Sequence, residues 1–140
     1  MFIAGLFLIS CNNEGSENPL QGTEVQYHTI CGWCTGMSQL NITGSDAELV
    51  SFDGCTASDS QKQTLDSSIL DQLEELLSEV DEQTIDLNQC GECYDGCEEQ
   101  LIFTYEDGTE HKIVFDNRDY QEVDQLEDLL ELLEEVEDSF

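Results

Sequence analysis

Two closely spaced cysteine pairs hold most of the chemistry this chain offers: Cys31-Gly32-Trp33-Cys34 and Cys90-Gly91-Glu92-Cys93. Cys55 and Cys97 are further thiols, and Cys11 stands apart near the start. A CxxC pair can run thiol–disulfide exchange, in which the first sulfur is a nucleophile of lowered pKa and the second resolves the mixed disulfide. Two such pairs can instead hold one tetrahedral zinc ion. In an exported chain, an even set of cysteines reads first as a disulfide framework, which makes Cys31, Cys34, Cys55, Cys90, Cys93 and Cys97 disulfide candidates. The oxidoreductase reading is weakened because the first pair leads into a β-hairpin, not a helix. The chain's one proline, Pro19, also lies far from it.

Other chemistry is thin. His28 and His111 are isolated, fall in expected strands and have no nucleophile arranged beside them by any motif. Asp86-Leu87-Asn88-Gln89-Cys90-Gly91 begins like a calcium loop, but Cys90 stands where an oxygen ligand belongs and Cys97 occupies the place of the closing glutamate. Weak binding of divalent cations by clusters such as Glu134, Glu135, Glu137 and Asp138 is the metal chemistry that remains. No catalytic residue is assigned and no cofactor is expected.

These residues are positioned by two alternating segments. Leu40 to Thr43 turns at Gly44-Ser45 into Asp46 to Phe52, and Leu101 to Glu106 turns at Asp107-Gly108 into Thr109 to Phe115. Helices are expected to follow each, opening at Asp66 and at Asp119. Their apolar stripes are Ile69, Leu70, Leu73, Leu76, Leu77 and Val80 in the first and Leu126, Leu129, Leu130, Leu133 and Val136 in the second. Asp71-Gln72-Leu73-Glu74-Glu75-Leu76-Leu77 recurs as Asp124-Gln125-Leu126-Glu127-Asp128-Leu129-Leu130, and aligning the turns superposes the hairpins. The expectation is therefore α+β: a four-stranded antiparallel sheet from two hairpins covered by two helices, ββα-ββα, with residues 53–65 a long connection. If Thr43 faces Asp46, the same register sets Cys34 opposite Cys55, and a bridge there staples the hairpin. Cys31 then pairs among Cys90, Cys93 and Cys97. A rival scheme closes Cys31 to Cys34 and Cys90 to Cys93 and links Cys55 to Cys97.

The start of the chain supplies an address. An apolar run, Phe2 to Ile9, ends in Leu8-Ile9-Ser10-Cys11, which reads as a lipoprotein signal whose cysteine becomes a lipidated N-terminus. The expected organisation is a signal peptide over 1–10, a lipidated Cys11 with an acidic tether over 11–24, and one domain over 25–140 with internal repeats at 25–82 and 90–140. The charge is extreme. There are 33 acids against Lys62, Lys112 and Arg118, for a net −30, so nucleic acid is a poor partner.

The lipobox at Leu8 to Cys11, the Cys31 to Cys34 segment, the two hairpins and the two leucine-rich helices together resemble the small ββα-ββα lipoproteins of Bacteroidota envelopes. The layering is also similar to that of β-lactamase-inhibitor-like and outer-membrane-assembly lipoprotein folds. The resemblance implies an envelope protein held at a membrane by its N-terminal lipid, outer-membrane anchored and facing the periplasm or the surface. It would act as a non-enzymatic binding or structural module, with another envelope protein as partner. The alternatives are a CxxC redox or zinc-binding envelope protein and an envelope enzyme.

Self-repulsion at this charge weakens the compact state, and 1 M salt shortens its reach to about 3 Å. The melting temperature should therefore rise between 0.05 and 1 M NaCl, and rise further with millimolar calcium at equal ionic strength. A flat calorimetric profile would remove the repulsion argument.

Overall fold

The computed structural model describes residues 20, 22–90, 96–116 and 118–140. Six strands form one antiparallel sheet: β1 (Glu24–Cys31), β2 (Ser38–Thr43), β3 (Asp46–Asp53), β4 (Thr56–Thr64), β5 (Cys97–Thr104) and β6 (Glu110–Phe115), in the order β4-β3-β2-β1-β5-β6. Helix α1 (Ser67–Glu79) lies between β4 and β5, and α2 (Glu127–Asp138) follows β6.

The class is α+β, but the sheet has six strands and not four. β1 has the period of two, with Val25 and Tyr27 buried and Gln26 and His28 on the opposite face. No two-residue hairpin signal announces it, because the link to β2 is a 3₁₀ turn at Gly32–Cys34 and its other partner, β5, lies far along the chain. β4 occupies most of the stretch expected to be connection. Thr56-Ala57-Ser58-Asp59-Ser60-Gln61-Lys62-Gln63-Thr64 is exposed along almost its whole length, so it has no apolar alternation. What makes it a strand is its pairing with β3 across the two-residue turn at Gly54 and Cys55, where Gly54 takes a φ of 60°.

The first hairpin keeps its expected register, with Thr43 opposite Asp46. The second does not. Thr104 pairs with Glu110, the Tyr105 amide donates to the Thr109 carbonyl at 2.9 Å, and Gly108 sits at φ 80°. The loop is therefore Glu106-Asp107-Gly108, one residue longer than expected, and Asp107 holds it by accepting from the Thr109 amide (2.9 Å) and hydroxyl (2.6 Å). One extra residue reverses which side chains of β6 face the core.

The two ββα units are consequently not equivalent. β1 pairs antiparallel with both β2 and β5, so those two strands run the same way and their hairpins extend outward in opposite directions. With helices on a shared core, that is a mirror placement, which no rotation of one ββα unit onto another produces.

The helices cross the sheet in opposite senses. The Leu65 amide donates to the Ser45 carbonyl, which starts α1 on the β4 side. Beyond α1 the chain reaches the β6 edge, where Nε2 of His111 lies 3.0 Å from the Ile85 carbonyl. There Asn88 forms a parallel bridge with Val114. α2 returns toward β4, and Gln63 Nε2 donates to Ser139 Oγ at 2.7 Å. Asp66 does precede α1, but its side chain makes no capping bond; its backbone carbonyl receives the Ile69 and Leu70 amides. The second helix starts at Glu127, not at Asp119, after turns at 118–123 and a 3₁₀ turn at Asp124–Leu126.

α2 buries Leu129, Leu130, Leu132, Leu133 and Val136, whereas α1 fully buries only Leu73. They pack on Val25, Tyr27, Leu40, Ile42, Leu101, Phe103, Ile113 and Phe115 of the sheet in one core that also includes Leu20. Among the described residues no helix is long and apolar enough to cross a membrane.

Arg118 joins the sheet to α2 just before the turns that precede that helix. Its guanidinium grips Glu99 with Nε at 3.0 Å and a terminal nitrogen at 2.6 Å, donates to the Tyr27 hydroxyl at 3.2 Å, and also bonds Glu134 of α2. Tyr27 in turn donates to Glu99 at 2.8 Å. Burial and then the Glu99 charge push the Tyr27 hydroxyl well above the usual phenol range. Arg118→Ala should cost about 2 kcal/mol in urea unfolding, since it leaves the partly buried Glu99 carboxylate with the Tyr27 hydroxyl but without its cation. Arg118→Lys should recover only part of this, because an ammonium cannot form the paired contact.

Candidate functional site: a disulfide-clamped tryptophan

β1 and β2 are joined at one end of the sheet by a 3₁₀ turn, Gly32–Cys34, that carries the chain's single tryptophan. A disulfide leaves the turn on each side. Cys31 bonds Cys97, its direct partner across the β1/β5 ladder, with Cα atoms 3.9 Å apart. Cys34 bonds Cys55 in the β3/β4 turn, with Cα atoms 4.8 Å apart. The Gly32 amide adds a bond to the Gly96 carbonyl at 2.8 Å. Trp33 thus sits on a peptide of two residues whose ends are bonded to opposite sides of the sheet.

Its backbone is unusual. Trp33 has φ 64° and Cys34 φ 54°, and these are the two non-glycine residues at positive φ among the described residues. Left-handed backbone at a side-chain-bearing residue costs about 1 kcal/mol or more, and persists only where surrounding bonds impose it. The side chain it displays is 82% exposed, and among the described residues no other large hydrophobic is exposed. An indole so exposed, on a turn bonded covalently on both sides, has the large amphipathic surface that suits an interface.

The remaining expected site residues fall as follows. Cys31 and Cys34 are bonded to different partners, so they do not form a CxxC disulfide with each other, and neither sulfur is free for a zinc ribbon. The rival pairing of Cys55 with Cys97 does not occur. Cys90 is disulfide-bonded; Cys11 and Cys93 lie outside the described residues, as does the middle of the segment compared with a calcium loop. Among the described residues no three His, Cys, Asp or Glu side chains gather to hold a metal.

His28 faces the side of the sheet away from the core, opposite Gln39 and Gln100, so its neighbours across the ladder are amides and not nucleophiles. Burial, and secondarily Lys112, lowers its pKa, and its Nε2 is buried with no hydrogen-bond partner among the described residues. Glu98 on the same face is 4% exposed; one oxygen accepts from the Gln100 side-chain amide and the other has no partner among the described residues. Beside this cluster the open face forms a shallow groove of about 590 Å³ lined by Gln26, Gln39, Asn41, Glu48 and Lys62.

The exposed tryptophan was not legible as such, because Trp33 in a CxxC motif reads equally as part of a redox site. The signal that could have found it is the register that sets Cys34 opposite Cys55: a cysteine bonded across the sheet leaves its neighbour outside the ladder.

No protein-family model matches this chain, and no curated protein matches it either.

The two bonds should differ in worth. The Cys31–Cys97 bridge closes a separation of 66 residues and the Cys34–Cys55 bridge one of 21. In the chain-entropy account that is about 4 and about 3 kcal/mol respectively. Serine replacements of each pair, compared by urea unfolding, should rank in that order. Equal losses would show that native-state contacts, and not loop closure, set the contribution.

Proposed function

We propose that this protein is a lipid-anchored binding module of the cell envelope that engages a partner protein through Trp33. The observation that carries the reading is the tip itself: one 82% exposed indole, in a left-handed backbone, between two disulfides. Anchors of protein interfaces are enriched in tryptophan, and an anchor already rigid before binding loses less entropy on association. The disulfides also fit an exported chain, since such bonds persist in oxidising compartments.

In this reading Cys11 carries the lipid, the acidic segment after it is the tether, and the domain stands off a bacterial outer membrane with its tip toward a neighbour. The strong negative charge favours a cationic partner surface and disfavours nucleic acid and anionic head groups.

Two substitutions test the two parts separately. Cys11→Ser in the full chain should abolish palmitate labelling and release the protein from membranes; unchanged labelling removes the anchor. Trp33→Ala should leave the melting temperature within about a degree, because the side chain contributes little burial, and should abolish cross-linking to envelope proteins in intact cells. A cross-linking pattern identical to that of the native chain removes the tip.

A further inference from the structure

The two edges of the sheet are treated differently. The β6 edge is covered where Asn88 bridges Val114, with the Val114 amide donating to the Leu87 carbonyl and the Gln89 amide to the Val114 carbonyl. The β4 edge has no strand beyond it among the described residues, although β4 is nine residues long. Long bare edges invite pairing with another chain, and proteins usually blunt them. β4 is also chemically distinct. In a chain of net −30 it holds one acid, Asp59, and one base, Lys62, so it is a neutral strand on an anionic body.

Its free hydrogen-bonding groups can be placed. Ser60 faces Val50 in the ladder, yet its amide donates to Oδ1 of Asp59 at 2.9 Å. That amide therefore points away from β3, and the alternation of antiparallel pairing sets the amides of Lys62 and Thr64 outward as well. Asp59 occupies the first of these donors. A cation that draws off the Asp59 carboxylate would open the edge, whereas an anionic strand would be repelled. The edge also runs straight to the tip, because Thr56 and Trp33 are each one residue from the Cys34–Cys55 bond.

We infer that the β4 edge receives an extended, basic peptide segment of the partner as a seventh strand, with one cationic side chain seated on Trp33. This rests on the binding role assigned to Trp33 above and adds the partner's chemistry. Backbone bonding to the edge supplies affinity without sequence demands. The indole face supplies a cation–π contact, and the surrounding acids select a basic segment. A second copy of this chain is a poorer occupant, since it would bring a like charge of −30 to the same edge.

The test uses the disulfide-intact chain and a nine-residue peptide of alternating lysine and threonine. Trp33 fluorescence follows binding, and amide hydrogen exchange follows β4. Binding should slow exchange at Lys62 and Thr64. Ser60→Pro removes an outward amide without breaking the β3 ladder, and should weaken binding about tenfold or more. The same peptide with its backbone amides N-methylated keeps its charge but loses its strand donors, and should fail to bind the unaltered chain, whatever the fate of the proline variant. Absence of binding by the Lys-Thr peptide, equal binding of its N-methylated form, or unchanged β4 exchange overturns the inference. So does β4 protection in a peptide-free dimer, which would make a second copy the occupant. If the peptide, monitored by calorimetry, binds Trp33→Ala unchanged but loses affinity for Ser60→Pro, the edge stands and the tip reading falls.

Discussion

The fold depends on one strand being paired on both sides. β1 lies between the β2–β3–β4 strands and the β5–β6 hairpin, which share no ladder with each other, so the hydrogen-bonded continuity of the sheet passes through its bonds to β2 and β5. Such non-local pairing gains nothing until a long loop has closed, and β5 is reached only after β4 and α1 have been traversed. The Cys31–Cys97 bond lies in this ladder and ties β1 to β5 covalently at one end. Tyr27, Glu99 and Arg118 reinforce the same junction on the core face, where Arg118 also reaches Glu134 of α2.

Charge sets the second constraint. With 33 acids, almost any compact arrangement brings carboxylates together. The molecule separates them by burying the apolar stripe of α2 on the sheet while the acids of that helix face water. Helix formation there owes little to local sequence, since acids recur at i+4 and none of the bases lies between Asp119 and Phe140. The core makes the helix. Arg118, the single arginine, is placed where it answers a strand carboxylate and a helix carboxylate at once.

The features on which the proposed binding role rests gather at the sheet end that the disulfides close. A six-stranded sheet with one helix-covered face leaves its other face polar, as antiparallel sheets commonly do. That face therefore distinguishes this molecule less than the tip does. At the tip, the bonds that hold β1 to β5 and the β3/β4 turn to the β1–β2 turn also hold an indole in solvent, so stability and display arise from the same covalent links.

The sequence by itself determined what depends on local rules. Gly44-Ser45 set the first hairpin and its register, and that register placed Cys34 against Cys55. The leucine periodicity located both helices, with α1 opening after Asp66. Tertiary structure decided the rest, because the causes are non-local. β4 has no apolar pattern, and only pairing with β3 makes it a strand. β1 has the pattern but no two-residue turn signal beside it, and its central position required pairing with β5, distant in sequence, as well as with β2. The second turn gained a residue because Asp107 binds Thr109 and Gly108 accepts a positive φ. The repeated helix sequence suggested two equal units, yet similar apolar stripes satisfy one sheet face from mirror-related hairpins just as well. The Cys31/Cys34 spacing cannot tell a redox pair from two cross-sheet bonds, since the sulfur partners are chosen by which strands lie side by side.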